Sequence, residues 1–376
     1  MKKNNHGSSL IMAVLLILIM VLVVFLAYEV FYEDILDVLT EGKSNVIDIE
    51  NTITANHKNS NANKGSSVQT TTPITNETTY SAPQTVNLSN HYYYEQLDEP
   101  GKMIYKGLED NIANMQSGNY TIDFGTKFND LLNSEGGDKK LNIAFQSAWN
   151  AFTYDYVDIF YIDVTKLILT TKTTKIATYA RHKVNISSGT NENYFEEGIR
   201  SSQDVQAKKN YLSNVRQTIV SQLQGYSDYD KVKYLHNWMV DNIKYDTTYK
   251  REDIHNVYGA FKNKIVVCEG YARAFKYILD GLGIESVLIS GSATNSSGDT
   301  ENHAWNYVKL DGKWYAVDVT WDDPVITGGG ELTNELRYQY FLKGSYEFFK
   351  NHEEDGYLSS NSMKFKFPIL EKSDYE

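Results

Sequence analysis

Cys268 is the single thiol in a chain of 376 residues, so no intramolecular disulfide can form and the sulfur is free for packing or for chemistry. It follows the short β-branched run Ile265-Val266-Val267 and precedes Ala272, Phe275, Leu279 and Leu282, which recur at three- to four-residue spacing. That spacing predicts a helix beginning at Cys268 and ending at Gly281 and Gly283. The unpaired N–H groups and the dipole at a helix start favour negative charge, which suits a thiolate nucleophile. A buried structural cysteine would fit the same place, and this feature alone leaves both readings open.

His303 lies 35 residues further on, in His303-Ala304-Trp305-Asn306-Tyr307-Val308-Lys309-Leu310, and Lys313-Trp314-Tyr315-Ala316-Val317-Asp318-Val319-Thr320 follows. Asp311-Gly312 between two such runs is a strong hairpin signal. A two-residue turn opposes Leu310 to Lys313, His303 to Thr320 and Trp305 to Asp318. His303 and Asp318 then share a face as diagonal neighbours, roughly 7–8 Å apart at the backbone. Their side chains can close that gap, and an aspartate among apolar strand residues needs such a partner. Cys268, His303 and Asp318 together make a nucleophile, a base and a group that orients the base. The thiolate would attack an amide carbonyl, pass through a thioester and be released by water or a second amine. The Cys268 backbone N–H is a candidate oxyanion donor, with Tyr245 and Tyr258 as candidates for a second.

Other polar residues receive plainer readings. His255 is expected in an exposed loop, although it could line the cleft. His352 is a rival base, but it falls in an acidic, loop-like stretch with Glu353, Glu354 and Asp355 and has no evident strand partner. His236 and Trp238 are expected to pack. Asp155, Asp158 and Asp163 lack the spacing of a metal site, no cluster of Cys or His ligands suggests zinc, and no loop of oxygen ligands suggests calcium. No metal and no cofactor is therefore expected.

Four segments together resemble the transglutaminase-like superfamily: Tyr258-Gly259-Ala260-Phe261, Val267 to Ala272, His303 to Val308, and Leu310 to Pro324 with its Asp318-Val319-Thr320-Trp321-Asp322-Asp323 core. The resemblance covers about residues 228–324. It implies a papain-like α+β scaffold, with a helix bearing the cysteine packed on an antiparallel sheet, and a Cys-His-Asp triad at Cys268, His303 and Asp318. Family members include transglutaminases, cysteine proteases and amidases. Val266 departs from the pattern, because glycine often stands two residues before the cysteine; a bulkier residue there is expected to narrow the cleft.

The elements that must carry these residues are also predicted. Leu212, Val215, Ile219 and Leu223 form the stripe of a long helix closed by Gly225. Ser227 and Asp230 then look like the cap and third position of the next helix, which buries Val232, Leu235, Met239 and Ile243. Upstream, Ile104, Leu108, Ile112 and Met115, and then Leu141, Phe145, Ala148, Trp149 and Phe152, mark two more helices. Residues 159–170 and 175–186 read as strands. The expected organisation is an α+β module of unknown role over 91–200 and the transglutaminase-like domain over 201–376.

Residues 10–27 are an unbroken run of eighteen apolar side chains, long enough to span a bilayer. Lys2 and Lys3 precede it and Glu29, Glu33 and Asp34 follow, which orients residues 1–9 toward the cytoplasm and the rest outward. The run is longer than a usual signal-peptide core and no small-x-small cleavage site follows it, so a single-pass anchor over 10–28 is expected. Residues 29–90, rich in Asn, Ser and Thr, are expected to form a juxtamembrane segment and flexible stalk. The net charge of −12 argues against nucleic acid as a partner. A protein or peptide substrate is expected, cell-wall peptides being one candidate. The competing function is a non-catalytic scaffold, or a peptide- or cell-wall-binding module that keeps the fold for its groove.

Overall fold

A computed structural model describes residues 47–54, 91–176, 179–324 and 333–376. The expected anchor over 10–28 lies outside these residues, as does the expected stalk apart from 47–54. Among the described residues, no helix is long and apolar enough to cross a membrane. Ten strands are used below: β1 (Ile47–Thr54), β2 (Ile122–Gly125), β3 (Ile168–Ile176), β4 (Tyr179–Ser187), β5 (Lys244–Tyr245), β6 (Ile265–Val266), β7 (Ser286–Thr294), β8 (Thr300–Leu310), β9 (Lys313–Val317) and β10 (His352–Glu354). β1 falls within the stretch expected as a stalk; its sequence is Ile- and Thr-rich, which favours extended backbone.

The described residues divide into two compact units, 47–50 with those of 172–182, and those of 51–171 with those of 183–376. In the first, Thr173 Oγ1 lies 2.9 Å from His182 Nδ1. The second unit holds Cys268, His303, Asp318 and the other candidate site residues.

Its helices follow the apolar stripes. Glu99–Asp110 is capped by Asp98, whose side chain accepts from the Gly101 N–H, and a further turn, Ile112–Met115, follows the break at Asn111. Gly137–Asp155 buries Leu141, Phe145, Ala148, Trp149 and Phe152. Ser202–Gln222 ends just before Gly225, whose φ of +83° suits glycine. Ser227 caps Asp228–Asn242 by accepting from the Asp230 N–H at 3.1 Å, and Val232, Leu235, Met239 and Ile243 are all buried.

The strand expected over 159–170 forms only at its end. Asp163 accepts from the Thr165 N–H at 2.9 Å and starts a short 3-10 turn, Val164–Lys166, so β3 begins at Ile168. A side chain competing for backbone N–H groups outweighs β-branched composition there. β2 pairs antiparallel with β4 through Ile122–Ile186 and Asp123–Asn185.

The sheet that matters for chemistry has the order β10-β7-β8-β9. Asp311 and Gly312 both have positive φ, +50° and +79°, the conformation that a twist-matched two-residue hairpin requires. β8 and β9 pair as Leu310–Lys313, Lys309–Trp314, Val308–Tyr315, Tyr307–Ala316 and Asn306–Val317. This is the expected register, but β9 stops at Val317. The pairs Trp305–Asp318 and His303–Thr320 therefore do not form. The Asp318 N–H instead donates to the Tyr340 carbonyl at 3.1 Å.

Helix Cys268–Leu282 packs on this sheet and is pinned there by Asn306, whose buried Nδ2 donates to the Ala272 carbonyl at 3.0 Å. It ends on Gly283, φ +73°. Upstream residues complete the same packing. Tyr93 donates its hydroxyl to the Leu288 carbonyl, Arg273 donates to the Thr153 carbonyl at 2.7 Å, and Asn150 donates to Ser359 Oγ at 2.9 Å.

Candidate active site

Cys268 is the first residue of its helix, with Val267 in extended conformation before it. Its N–H belongs to the first turn, where no intrahelical acceptor exists. The thiol is half-buried and lies within hydrogen-bonding reach of the His303 ring. His303 Nε2 in turn lies 2.7 Å from Asp318 Oδ2. The structure thus brings the three sequence-predicted residues together. With Nε2 held by the carboxylate, Nδ1 is the ring nitrogen left for the thiol.

Burial by itself would discharge His303, yet its pKa stands well above the usual imidazole value because the adjoining carboxylate, and then the thiol, favour the charged ring. Asp318 is fully buried. Burial would raise its pKa, but His303 and His352 hold it well below the normal carboxylate range. The other oxygen, Oδ1, accepts from the N–H groups of Thr320 at 3.0 Å and Trp321 at 3.2 Å. The carboxylate is thereby locked in rotation.

His352 was not recognisable in the sequence as a neighbour of this pair. The expectation that it lacks a strand partner is corrected: it begins β10, opposite Ala293 of β7. Its Nε2 lies 3.2 Å from Asp318 Oδ2, the same oxygen that His303 uses. Three paired residues are too few for an alternation signal, so only its proximity to Phe348 and Phe349 hinted at a buried place. One side-chain nitrogen or oxygen from each of His303, Asp318 and His352 lies within 4.8 Å of the other two. Hydrogen bonding of two imidazoles to one carboxylate accounts for that grouping, so we read it as a proton network.

The surroundings of the thiol come from several elements. Glu269, next to Cys268, accepts from Arg273 at 2.9 and 2.8 Å. His255 is partly exposed but lies 3.2 Å from Glu269, which raises its pKa against the lowering effect of burial. Tyr154 is buried near the thiol, and burial pushes its pKa up to about 12. Of the two tyrosines suggested as oxyanion donors, Tyr245 has its hydroxyl 3.3 Å from that of Tyr249, and burial first and then the charge of Cys268 raise its pKa. Tyr258 stacks on Phe160 at 5.8 Å instead.

Val266 does not narrow the cleft. It is fully buried in β6, and a Cβ on Gly270 would lie 2.5 Å from its Cβ, so it packs under the helix start. Asp155, Asp158 and Asp163 are engaged separately. Asp155 accepts from Tyr93, Tyr94 and Tyr105; Asp158 pairs with Lys209 at 2.9 Å; Asp163 caps its own turn. His236 is buried with its Nε2 2.9 Å from Asp322 and stacks on Tyr338 at 5.5 Å, so it packs and hydrogen-bonds at once.

Residues 216–319 match the model of the transglutaminase-like superfamily. Kyphoscoliosis peptidase of Mus musculus is 26% identical over 144 residues, 35% of this chain and 22% of that protein; the Homo sapiens protein is 25% identical over 144 residues with the same coverage. The matched part thus spans about a fifth of the length of these relatives. Solved structures with similarity include a TGase (13% identity, 45% of this chain and 47% of the other, TM-score 0.28). A putative cysteine protease from Cytophaga hutchinsonii (12%, 42% and 58%, TM-score 0.25) is another. Residues 216–319 are thus similar to the transglutaminase-like superfamily.

Proposed function

We propose that the protein is a membrane-anchored, outward-facing thiol acyl-transfer enzyme that acts on peptide or protein amides through Cys268, His303 and Asp318. The observation that carries this reading is a thiol at a helix start, beside an imidazole whose far nitrogen is hydrogen-bonded to a buried carboxylate. The relatives named as peptidases support the reaction class. The apolar run over 10–27 with its flanking charges supports the anchor and its orientation.

The thiolate sulfur attacks the amide carbonyl carbon, and the carbonyl π pair moves to oxygen. The Cys268 N–H, and the Tyr245 hydroxyl as second donor, face the developing oxyanion. His303 gives its Nδ1 proton to the departing amine as the C–N bond breaks, leaving a thioester on Cys268. It then takes a proton from water or a second amine, whose attack breaks the C–S bond and restores the thiolate. Hydrolysis and transamidation differ only in that second nucleophile.

The test is mass spectrometry of acyl adducts on Cys268 after exposure to cell-surface and cell-wall peptides, paired with turnover of the same peptides. A thioester on Cys268 and a fall in rate of about 10³-fold or more in Cys268→Ala are expected. Unchanged turnover in Cys268→Ala would sink the proposal.

A further inference from the structure

Two imidazoles converge on one oxygen of Asp318. His303 Nε2 is 2.7 Å away and His352 Nε2 is 3.2 Å away. A carboxylate with a depressed pKa has no proton to give, so the His352 nitrogen facing it must carry one. His352 is held to this task on every side. Its ring is stacked 4.0 Å from Phe348 with an interplanar angle of 21°, stands edge-on to Trp305 at 5.2 Å, and lies 4.7 Å from Trp321. Nδ1 sits 2.8 Å from Asn351 Oδ1, and Asn351 Nδ2 donates to the Tyr340 hydroxyl at 2.7 Å. Tyr340 also fixes the backbone at both ends of the segment, accepting from the Asp318 N–H and donating its own N–H to Asp322. His352, Phe348, Asn351, Tyr340 and Trp321 all lie beyond the region that matches the superfamily, which ends at residue 319.

Resting on the function proposed above, we propose that His352 is a positioning residue: its Nε2–H shares the Asp318 oxygen with His303, and so sets both the orientation and the basicity of the His303 imidazole. A carboxylate oxygen that accepts two N–H bonds offers less charge to each. His303 is then held less tightly as an imidazolium than by an undivided carboxylate, and returns its proton to the leaving amine more readily. Burial favours the neutral form of His352, Asp318 opposes this, and a charged His303 reinforces it. The other titratable groups around the pair are Cys268 from the helix start, Tyr340 through Asn351, and Asp322 with His236 behind Asp318.

The rate of alkylation of Cys268 by iodoacetamide, measured from pH 4 to pH 10, reads this directly. In the wild type the thiolate–imidazolium pair gives a plateau with an upper limb set by His303, and His303→Ala abolishes that limb. His352→Phe fills the aromatic slot without a donor and is expected to move the upper limb up by about one pH unit, tenfold in proton affinity. His352→Gln, which keeps an N–H donor, is expected to restore most of it. ¹⁵N NMR of the wild type should show His352 protonated at Nε2 across this range. If His303→Ala leaves the profile unchanged, the enzymatic reading fails. If it changes the profile but His352→Phe does not, or if Nε2 of His352 bears no proton, the positioning role alone is overturned.

Discussion

At the scale of single residues, opposite pKa displacements meet in one hydrogen bond. Asp318 is depressed, so its contribution to stability is present above the ordinary carboxylate pKa of about 3.9 and is lost as pH falls through its folded value. His303 is raised, so its contribution is complete below about 6.5 and is lost as pH rises through its folded value. Their pair therefore stabilises the fold most between about pH 4 and 6.5. Asp318→Asn should lower the melting temperature most in that window and progressively less toward either extreme of pH, as scanning calorimetry across pH can establish. The same variant should lose activity by about 10³- to 10⁴-fold, because the imidazole loses its orienting partner.

At the scale of elements, the hairpin, the helix start and β10 must approach one another closely, and Gly291 permits it. It pairs with His303 on one side and Glu354 on the other, and a Cβ there would lie 2.0 Å from the Glu353 carbonyl oxygen and 2.7 Å from Trp305. Gly291→Ala must push β10 and its His352 away. We expect a loss of about 1–3 kcal/mol, typical of overpacking, in urea titrations, together with the shifted alkylation profile of the His352 donor-less variant. Asn306 ties the cysteine helix to β8 from the other direction. Asn306→Val should loosen that registration and slow Cys268 alkylation at pH 6 more than it lowers stability, by about 0.5–1.5 kcal/mol for a single buried hydrogen bond.

At the scale of the whole molecule, Asp155 connects upstream residues to the site-bearing helix. Burial pushes its pKa up to about 7, against the lowering influence of Lys276 and its backbone donors. A raised carboxyl favours the fold at low pH and loses that contribution as pH rises through the folded value. Between about pH 4 and 7 the unfolded chain gives up a proton that the folded chain keeps, so stability should fall by up to ~1.4 kcal/mol per pH unit and then level off. Asp155→Asn should flatten that slope in denaturant titrations at several pH values. The sequence by itself determined the helix stripes, the Ser227 cap, the hairpin register from Asn306 to Val317 and the placing of Cys268 on a helix start, because each depends on periodicity or turn chemistry within a few residues. Tertiary structure decided the end of β9 at Val317, the inward packing of Val266 and above all the arrival of His352 on Asp318. The last of these joins residues 34 positions apart through a three-residue strand, and neither that separation nor so short an element leaves a pattern along the chain.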